Sequence, residues 1–214
     1  MNIADTPEHW PVAASAERLR TRLISVRTDQ VRTPENQLAV RDVVVHPGAV
    51  AVLALDDADR VLMIRQYRHP VASLLWELPA GLRDVAGEEL RVTASRELME
   101  EAGYRATDWR VLADYYSSPG YSTERLRIFL ARDLEPIPPA ERHFVPEAEE
   151  AHILIDWVPL DEAVGQVFAG QLHNGPAALA LMAGYAARSQ GYSGLRPADA
   201  PEEQWRSALR EGPP

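Results

Sequence analysis

Cysteine is absent from the 214 residues, and lysine is absent too. Without cysteine there is no disulfide framework, no thiolate metal site and no thiol nucleophile. All 22 basic side chains are arginines, set against 32 acidic ones. The formal charge of −10 argues against a general nucleic-acid binder, because affinity for a phosphate backbone needs clustered positive charge. An anionic substrate would have to be met through metal ions or a local group of arginines. Long apolar runs are lacking as well: stretches such as "GAVAVLAL" fall far short of the roughly 20 residues a membrane helix needs. The opening "MNIADTPEHWPVAASAERLR" has no basic start followed by an apolar run, so no secretory signal is read in it, and a cytoplasmic location is expected.

What remains is 46% hydrophobic and 25% charged, the make-up of one ordinary domain with appendages. Residues 1–18 are polar and lead into "LRTRLISVRTDQVRT", whose alternation predicts an exposed or partly paired strand. Four further strands are expected at "VRDVVVH", "GAVAVLAL", "RVLMIRQYR" and "LLWELP", separated by His46-Pro47-Gly48 and by an Asp-rich turn at residues 56–59. A helix follows from about Glu89 to Ala102, with Gly103 suited to its left-handed C-terminal end and Thr93 as a cap should it start later. Strands at "RVLADYYSS", "RLRIFLAR" and "AHILIDWVPL" precede helices at "PLDEAVGQVFAG" and "PAALALMAGYAARS". Residues 191–214 are read as a Pro-rich, loosely ordered tail. This order predicts a mixed α/β sandwich.

The helix raises a question of charge. Glu97, Glu100 and Glu101 stand at i, i+3 and i+4 near its C-terminal end, where the helix dipole disfavours negative charge and like charges repel. On one face they can converge on a point, and hard anionic oxygens so placed suit Mg²⁺ or Mn²⁺. Read alone, the same residues also describe a solvated acidic face with an Arg96–Glu100 pair.

The surrounding residues favour the metal. "GLRDVAGEELRVTASRELMEEAGY" presents Gly81, Glu88, Arg96-Glu97-Leu98, Glu100-Glu101 and Gly103-Tyr104. This resembles the Nudix box, G-x5-E-x7-R-E-U-x-E-E-x-G-U with U a bulky apolar residue, the signature of the Nudix hydrolases. One departure is plain: six residues, not five, separate Gly81 from Glu88. The resemblance implies the Nudix fold, a mixed-sheet α/β/α sandwich with an additional N-terminal antiparallel β-element, and a box that holds divalent metal against a pyrophosphate. Glu97 and Glu101 are then expected as main metal ligands, with Glu100 adjacent, Glu88 in support and the backbone carbonyl of Ala80 contributing. Arg96 is expected to orient the carboxylates, and Glu101 and Arg96 count with the catalytic set.

Flanking segments resemble the ADP-ribose pyrophosphatase branch, in particular its actinobacterial members: "RQYRHP", "WELPAG", the longer box loop, and Pro119 lying 16 residues beyond Gly103. The likeness covers roughly residues 20–185. It implies hydrolysis of ADP-ribose to AMP and ribose 5-phosphate with Mg²⁺, or Mn²⁺, as cofactor. Arg68 is the expected phosphate contact, since a guanidinium offers paired donors to phosphate oxygens; a surface arginine on an edge strand is the plainer alternative. Pro119 and Gly120 are expected to border the substrate, or to form no more than a tight turn. The general base is expected in the acidic loop "VPEAEEAHILIDW", Glu150 before Glu149, with Glu147, His143 and His152 behind them. The implied assembly is a homodimer, with residues 1–45 the dimerising element and Arg27 reaching adenine, residues 46–190 the hydrolase domain and 191–214 the tail. Two other functions stay open: a Nudix hydrolase of a nucleotide sugar or NADH, and a non-catalytic ADP-ribose sensor.

Overall fold

The computed structural model describes residues 3–141 and 153–202. These described residues divide into two compact units, one falling within 48–117 and 125–199 and the other within 1–47, 118–124 and 200–214.

The smaller unit is built on three antiparallel strands in the order β1-β2-β3: β1 Val12–Arg20, β2 Ser25–Arg32 and β3 Leu38–Val45. β1 corrects the reading of residues 1–18 as a polar lead-in. Its sequence, VAASAERLR, carries neither alternation nor a run of β-branched residues, and it is exposed along its length. Its partner holds it instead: Ser15 donates to Asp29 (2.6 Å) and Arg18 to Thr28 (3.0 Å), while Thr28 donates on to Asp42 (2.7 Å) across the β2–β3 pair. Residues 118–124 belong to the same unit. Thr123 N–H donates to the Val44 carbonyl (2.9 Å), Val44 N–H to the Tyr121 carbonyl (2.8 Å), and His46 N–H to the Thr123 hydroxyl (3.0 Å).

The larger unit holds, among the described residues, a five-stranded mixed sheet in the order β11-β8-β9-β4-β7 and a three-stranded antiparallel sheet, β10-β5-β6. The strands are β4 Ala49–Ala54, β5 Arg60–Arg68, β6 Ser73–Glu77, β7 Ala80–Leu82, β8 Tyr104–Tyr116, β9 Arg125–Pro136, β10 Leu154–Pro159 and β11 Arg196–Pro197. The β4–β9 pair is parallel. The helices are α1 Leu90–Glu97, α2 Leu160–Phe168 and α3 Gly175–Arg188. β4 is buried on both faces, which explains its unbroken apolar run. Ala51, Leu53 and Leu55 join a core cluster with Ala163 and Val164 of α2 and Ala177, Ala180 and Leu181 of α3. By strand alternation Val50, Val52 and Ala54 point the other way, and α1 packs on β4, β8 and β9 from that side. Helices therefore cover both faces, as the sequence predicts.

Local chemistry sets the boundaries. The Asp56 carboxylate accepts N–H bonds from Ala58 (3.0 Å) and Arg60 (2.8 Å), closing the β4–β5 turn with Asp59 at φ +55°. Asn174 caps α3 by accepting from Ala177 N–H at 2.9 Å. Thr93 is not a cap. It lies within α1 and donates to Glu88 (2.7 Å). The expected tail also needs correction: Arg196 and Pro197 pair with Val111 and Arg110 of β8, so this part of the segment is an edge of the sheet. Residues 203–214 lie outside the described ones. Among the described residues no helix is long and apolar enough to cross a membrane.

Candidate active site

The site grows from β7 and the helix after it. Leu90, Thr93, Ala94, Glu97, Leu98 and Ala102 are the buried residues of α1 and the turn that continues it, at spacings of three and four. A carboxylate thus occupies a place in the buried row where a leucine would be ordinary. Burial pushes the Glu97 carboxyl up from the usual 4.5 to about 7; Arg96 opposes this, and the charge of Glu100 adds to it.

Room for that carboxyl comes from Gly81. A Cβ built on Gly81 would overlap the Glu97 side chain. Gly81 pairs with Val50 across β7 and β4. The glycine next to the buried glutamate therefore keeps its place, and the extra residue before Glu88 is absorbed in residues 83–89, between β7 and α1.

Helix α1 ends in a π-helical turn, Leu98–Ala102, closed by Gly103 at φ +72°. The wider turn changes the expected convergence of the three glutamates on one point. Glu97 lies against Gly81. Glu100 accepts from Arg96 at 3.3 Å. Glu101 accepts from the Ala80 N–H at 2.8 Å, tying the turn to β7. For Ala80 the polar group seen in contact with a carboxylate is therefore its N–H.

Arg96 sits among the remaining acids. It lies 2.7 Å from Glu97, 3.3 Å from Glu100, 3.5 Å from Glu88 and 4.0 Å from Asp84. Asp84 and Thr93 are members of this network that sequence reasoning missed. Asp84 lies in the lengthened loop, and Thr93 stands five residues after the Glu88 it contacts. Among the described residues no group of three or more His, Cys, Asp or Glu side chains is gathered as it would be around an ion. Arg96 and the Ala80 N–H engage the oxygens instead. The donors nevertheless fit a hard dication: the side-chain donors are all carboxylate oxygens, negative charge is in excess around one guanidinium, and a missing Cβ makes space for the buried Glu97.

The other predicted residues fall elsewhere. Arg68 ends β5, and its guanidinium is engaged by Glu77 in a two-point pair, Nε to Oε1 at 2.9 Å and Nη2 to Oε2 at 2.6 Å. Arg27, Pro119 and Gly120 belong to the smaller unit. Arg27 donates to Asp29 at 2.9 Å. Pro119 and Gly120 occupy the turn in which Tyr121 and Ser122 N–H donate to the Ser118 carbonyl, at 3.1 and 2.9 Å. His143, Glu147, Glu149, Glu150 and His152 lie outside the described residues.

A two-sheet α/β sandwich that carries a glycine, a glutamate-rich helix and an arginine among its carboxylates in a loop–helix–loop defines the class. The NUDIX domain description matches residues 45–179. The chain belongs to the Nudix family and is a Nudix pyrophosphohydrolase. It is 42% identical over 193 residues to a Mycobacterium tuberculosis protein named ADP-ribose pyrophosphatase, covering 90% of this chain and 91% of that one. A Bacillus subtilis protein of the same name is 34% identical over 160 residues, 75% of this chain and 84% of its own. A crystal structure of an ADP compounds hydrolase superposes with a TM-score of 0.73 at 23% identity, covering 88% of this chain and 99% of that one, a likeness of fold.

Proposed function

We propose that this chain hydrolyses the pyrophosphate bond of ADP-ribose, giving AMP and ribose 5-phosphate, with Mg²⁺ or Mn²⁺ held at the box. The observation that carries the reading is the packing of the Glu97 carboxyl into the space left by Gly81, with Glu88, Glu100 and Glu101 around Arg96 and Ala80. Relatives named for this activity, matching most of the chain's length, support the choice of substrate. Glu97, Glu101, Glu100, Glu88 and the Ala80 carbonyl would hold the cation, and Arg96 would keep the carboxylates apart and oriented. When bound, a dication there neutralises the pyrophosphate and lowers the pKa of the attacking water. Glu150, with Glu149 second, is the proposed base that takes the proton of that water as oxygen attacks one phosphorus and the bridging P–O bond breaks. Arg68 is proposed to contact a phosphate oxygen, and Arg27, Pro119 and Gly120 to border the nucleotide.

A homodimer is part of the proposal. Val12, Leu19, Leu23, Leu38 and Val40 are exposed large apolar residues on and beside the three-stranded sheet, the kind of surface that a second copy covers. Light scattering behind a sizing column reads this directly, and a monomer at micromolar concentration refutes it.

The test of function is a hydrolysis screen with Mg²⁺ over ADP-ribose, NADH, GDP-mannose and diadenosine polyphosphates, with products identified. ADP-ribose should be turned over best, to AMP and ribose 5-phosphate. Glu97→Gln and Glu150→Gln should each abolish turnover, and only the first should greatly weaken Mg²⁺ binding. No ADP-ribose turnover by the wild type would sink the reading.

A further inference from the structure

The sheet β10-β5-β6 buries an acid that the reaction outlined above does not use. Glu77 ends β6 with its side chain 3% exposed, whereas Arg68, at the end of β5, is 45% exposed. The carboxylate receives both points of the guanidinium fork, and Gln66 Nε2 adds a third donor to Oε2 at 3.3 Å. Gln66 is itself buried.

Register says which way this cluster faces. Glu77 pairs with Ile64, so it shares a face with Ile64, Gln66 and Arg68. The alternate residues of β5, Val61 and Met63, belong to the core cluster with α2 and α3. β5 also packs against the π-helical turn Leu98–Ala102. Since the odd-numbered face is taken up by that core, the even-numbered face is the one turned to the glutamate turn. Gln66, Arg68 and Glu77 thus stand on the side of β5 that looks toward the proposed chemistry.

Stability alone is a poor reason for such a pair. The buried Glu77 carboxylate loses its hydration while its half-exposed partner stays partly screened by solvent, and a well-packed apolar residue of similar size commonly holds a fold as well or better. The pair supplies orientation. A fork–fork contact fixes the guanidinium plane and uses its Nε and Nη2 edge, which sets Nη1 on the side away from Glu77. An arginine already fixed in this way loses less conformational freedom when an anion binds.

We infer that Glu77 is a positioning residue for substrate capture. It holds Arg68 in the orientation that meets a phosphate oxygen of a nucleoside diphosphate, and Gln66 steadies the Glu77 carboxylate in turn. The inference rests on the pyrophosphatase reading and names the residue that prepares its phosphate contact.

Wild type, Glu77→Gln, Arg68→Lys and the double variant are compared in steady-state ADP-ribose hydrolysis with Mg²⁺, in thermal unfolding, and in calorimetric titration with ADP. In Glu77→Gln an amide N–H₂ faces a guanidinium donor, so the fork contact is lost at constant volume. KM and the ADP Kd should rise roughly 10- to 100-fold, the range seen when a group that orients a ligating side chain is removed. Turnover at saturation should change far less. Arg68→Lys keeps the charge without the fork and should show a similar rise. The double variant should be no worse than Arg68→Lys alone, because Glu77 acts through Arg68. Where Glu77→Gln does not fold, Glu77→Asp, one methylene short, should show the same rise in KM.

A fall in Tm with KM and Kd left at wild-type values would overturn the inference and make Glu77 a structural ion-pair partner. Losses that multiply in the double variant would overturn it too. A wild type that binds ADP but leaves ADP-ribose intact would refute the pyrophosphatase reading instead, and the ADP affinities of the four proteins would then decide the role of Glu77. A wild type that does neither refutes both.

Discussion

Gly81 and Glu97 compete for the same space, and the glycine gives way: a Cβ on Gly81 would lie inside the Glu97 carboxyl. The φ of Gly81 is not positive, so the residue serves here by its size and not by its conformational freedom. Gly81→Ala should therefore act on Glu97. Either the carboxyl is driven from its place or β7 is pushed from β4, and Glu97 is anchored by Arg96 at 2.7 Å. The expected result is a fall in kcat/KM of about 10²-fold, the effect of a misplacement near 1 Å, with weaker Mg²⁺ affinity. The accompanying loss of stability, roughly 1–3 kcal/mol for overpacking, is modest beside it. Steady-state kinetics and a Mg²⁺ titration check this; activity within a fewfold of wild type would mean that Glu97 can move without consequence.

Glu97 also sets a pH dependence. Its folded-state pKa, about 7, lies above the usual 4.5, so between those values the native protein holds a proton that the unfolded chain has released. Stability conferred by this group is full below pH ~4.5, falls as pH rises to ~7, and is lost above it, in total on the order of 3 kcal/mol. Thermal unfolding of the metal-free protein against its Glu97→Gln variant isolates the effect, since the variant should lack this component of the slope. A dication prefers the ionised carboxylate, so the rise in Tm on adding Mg²⁺ should be greater at pH 8 than at pH 5.5. A rise independent of pH would remove Glu97 from the metal set.

Much of this arrangement was legible in the sequence, and what was not has physical causes. The apolar run of β4, the Asp56 turn and the α1 stripe are local patterns that report local structure. The spacing of Glu97, Glu100 and Glu101 assumed 3.6 residues per turn, and the π-helical turn lies outside that assumption. β1 and β11 depend on their partners: VAASAERLR becomes a strand beside β2, and two residues suffice for β11 beside β8. Arg68 looked like a ready phosphate contact because its partner Glu77, nine residues on, comes beside it only when β5 and β6 pair. The hint was an acid directly after the apolar run Leu74-Leu75-Trp76.

Asp114 tests how far burial separates two ion pairs of similar length. It stands directly across from Arg127 on β9 and accepts two bonds from that guanidinium, at 2.8 and 2.9 Å, while Arg196 of β11 donates to the same carboxylate at 2.8 Å. The lengths are alike, yet Arg127 has a side chain 3% exposed and Arg196 one 48% exposed. Asp114→Ala removes the two-point acceptor from a buried cation and should cost about 3–5 kcal/mol. Arg196→Ala removes a solvent-screened donor and should cost only about 0–1 kcal/mol. Denaturant midpoints at unchanged m-value read both. Equal losses would mean that Arg196 holds β11 in a way that the whole sheet depends on, and that its exposure misstates its worth; a loss confined to Asp114→Ala would place the cost on the buried Arg127 alone.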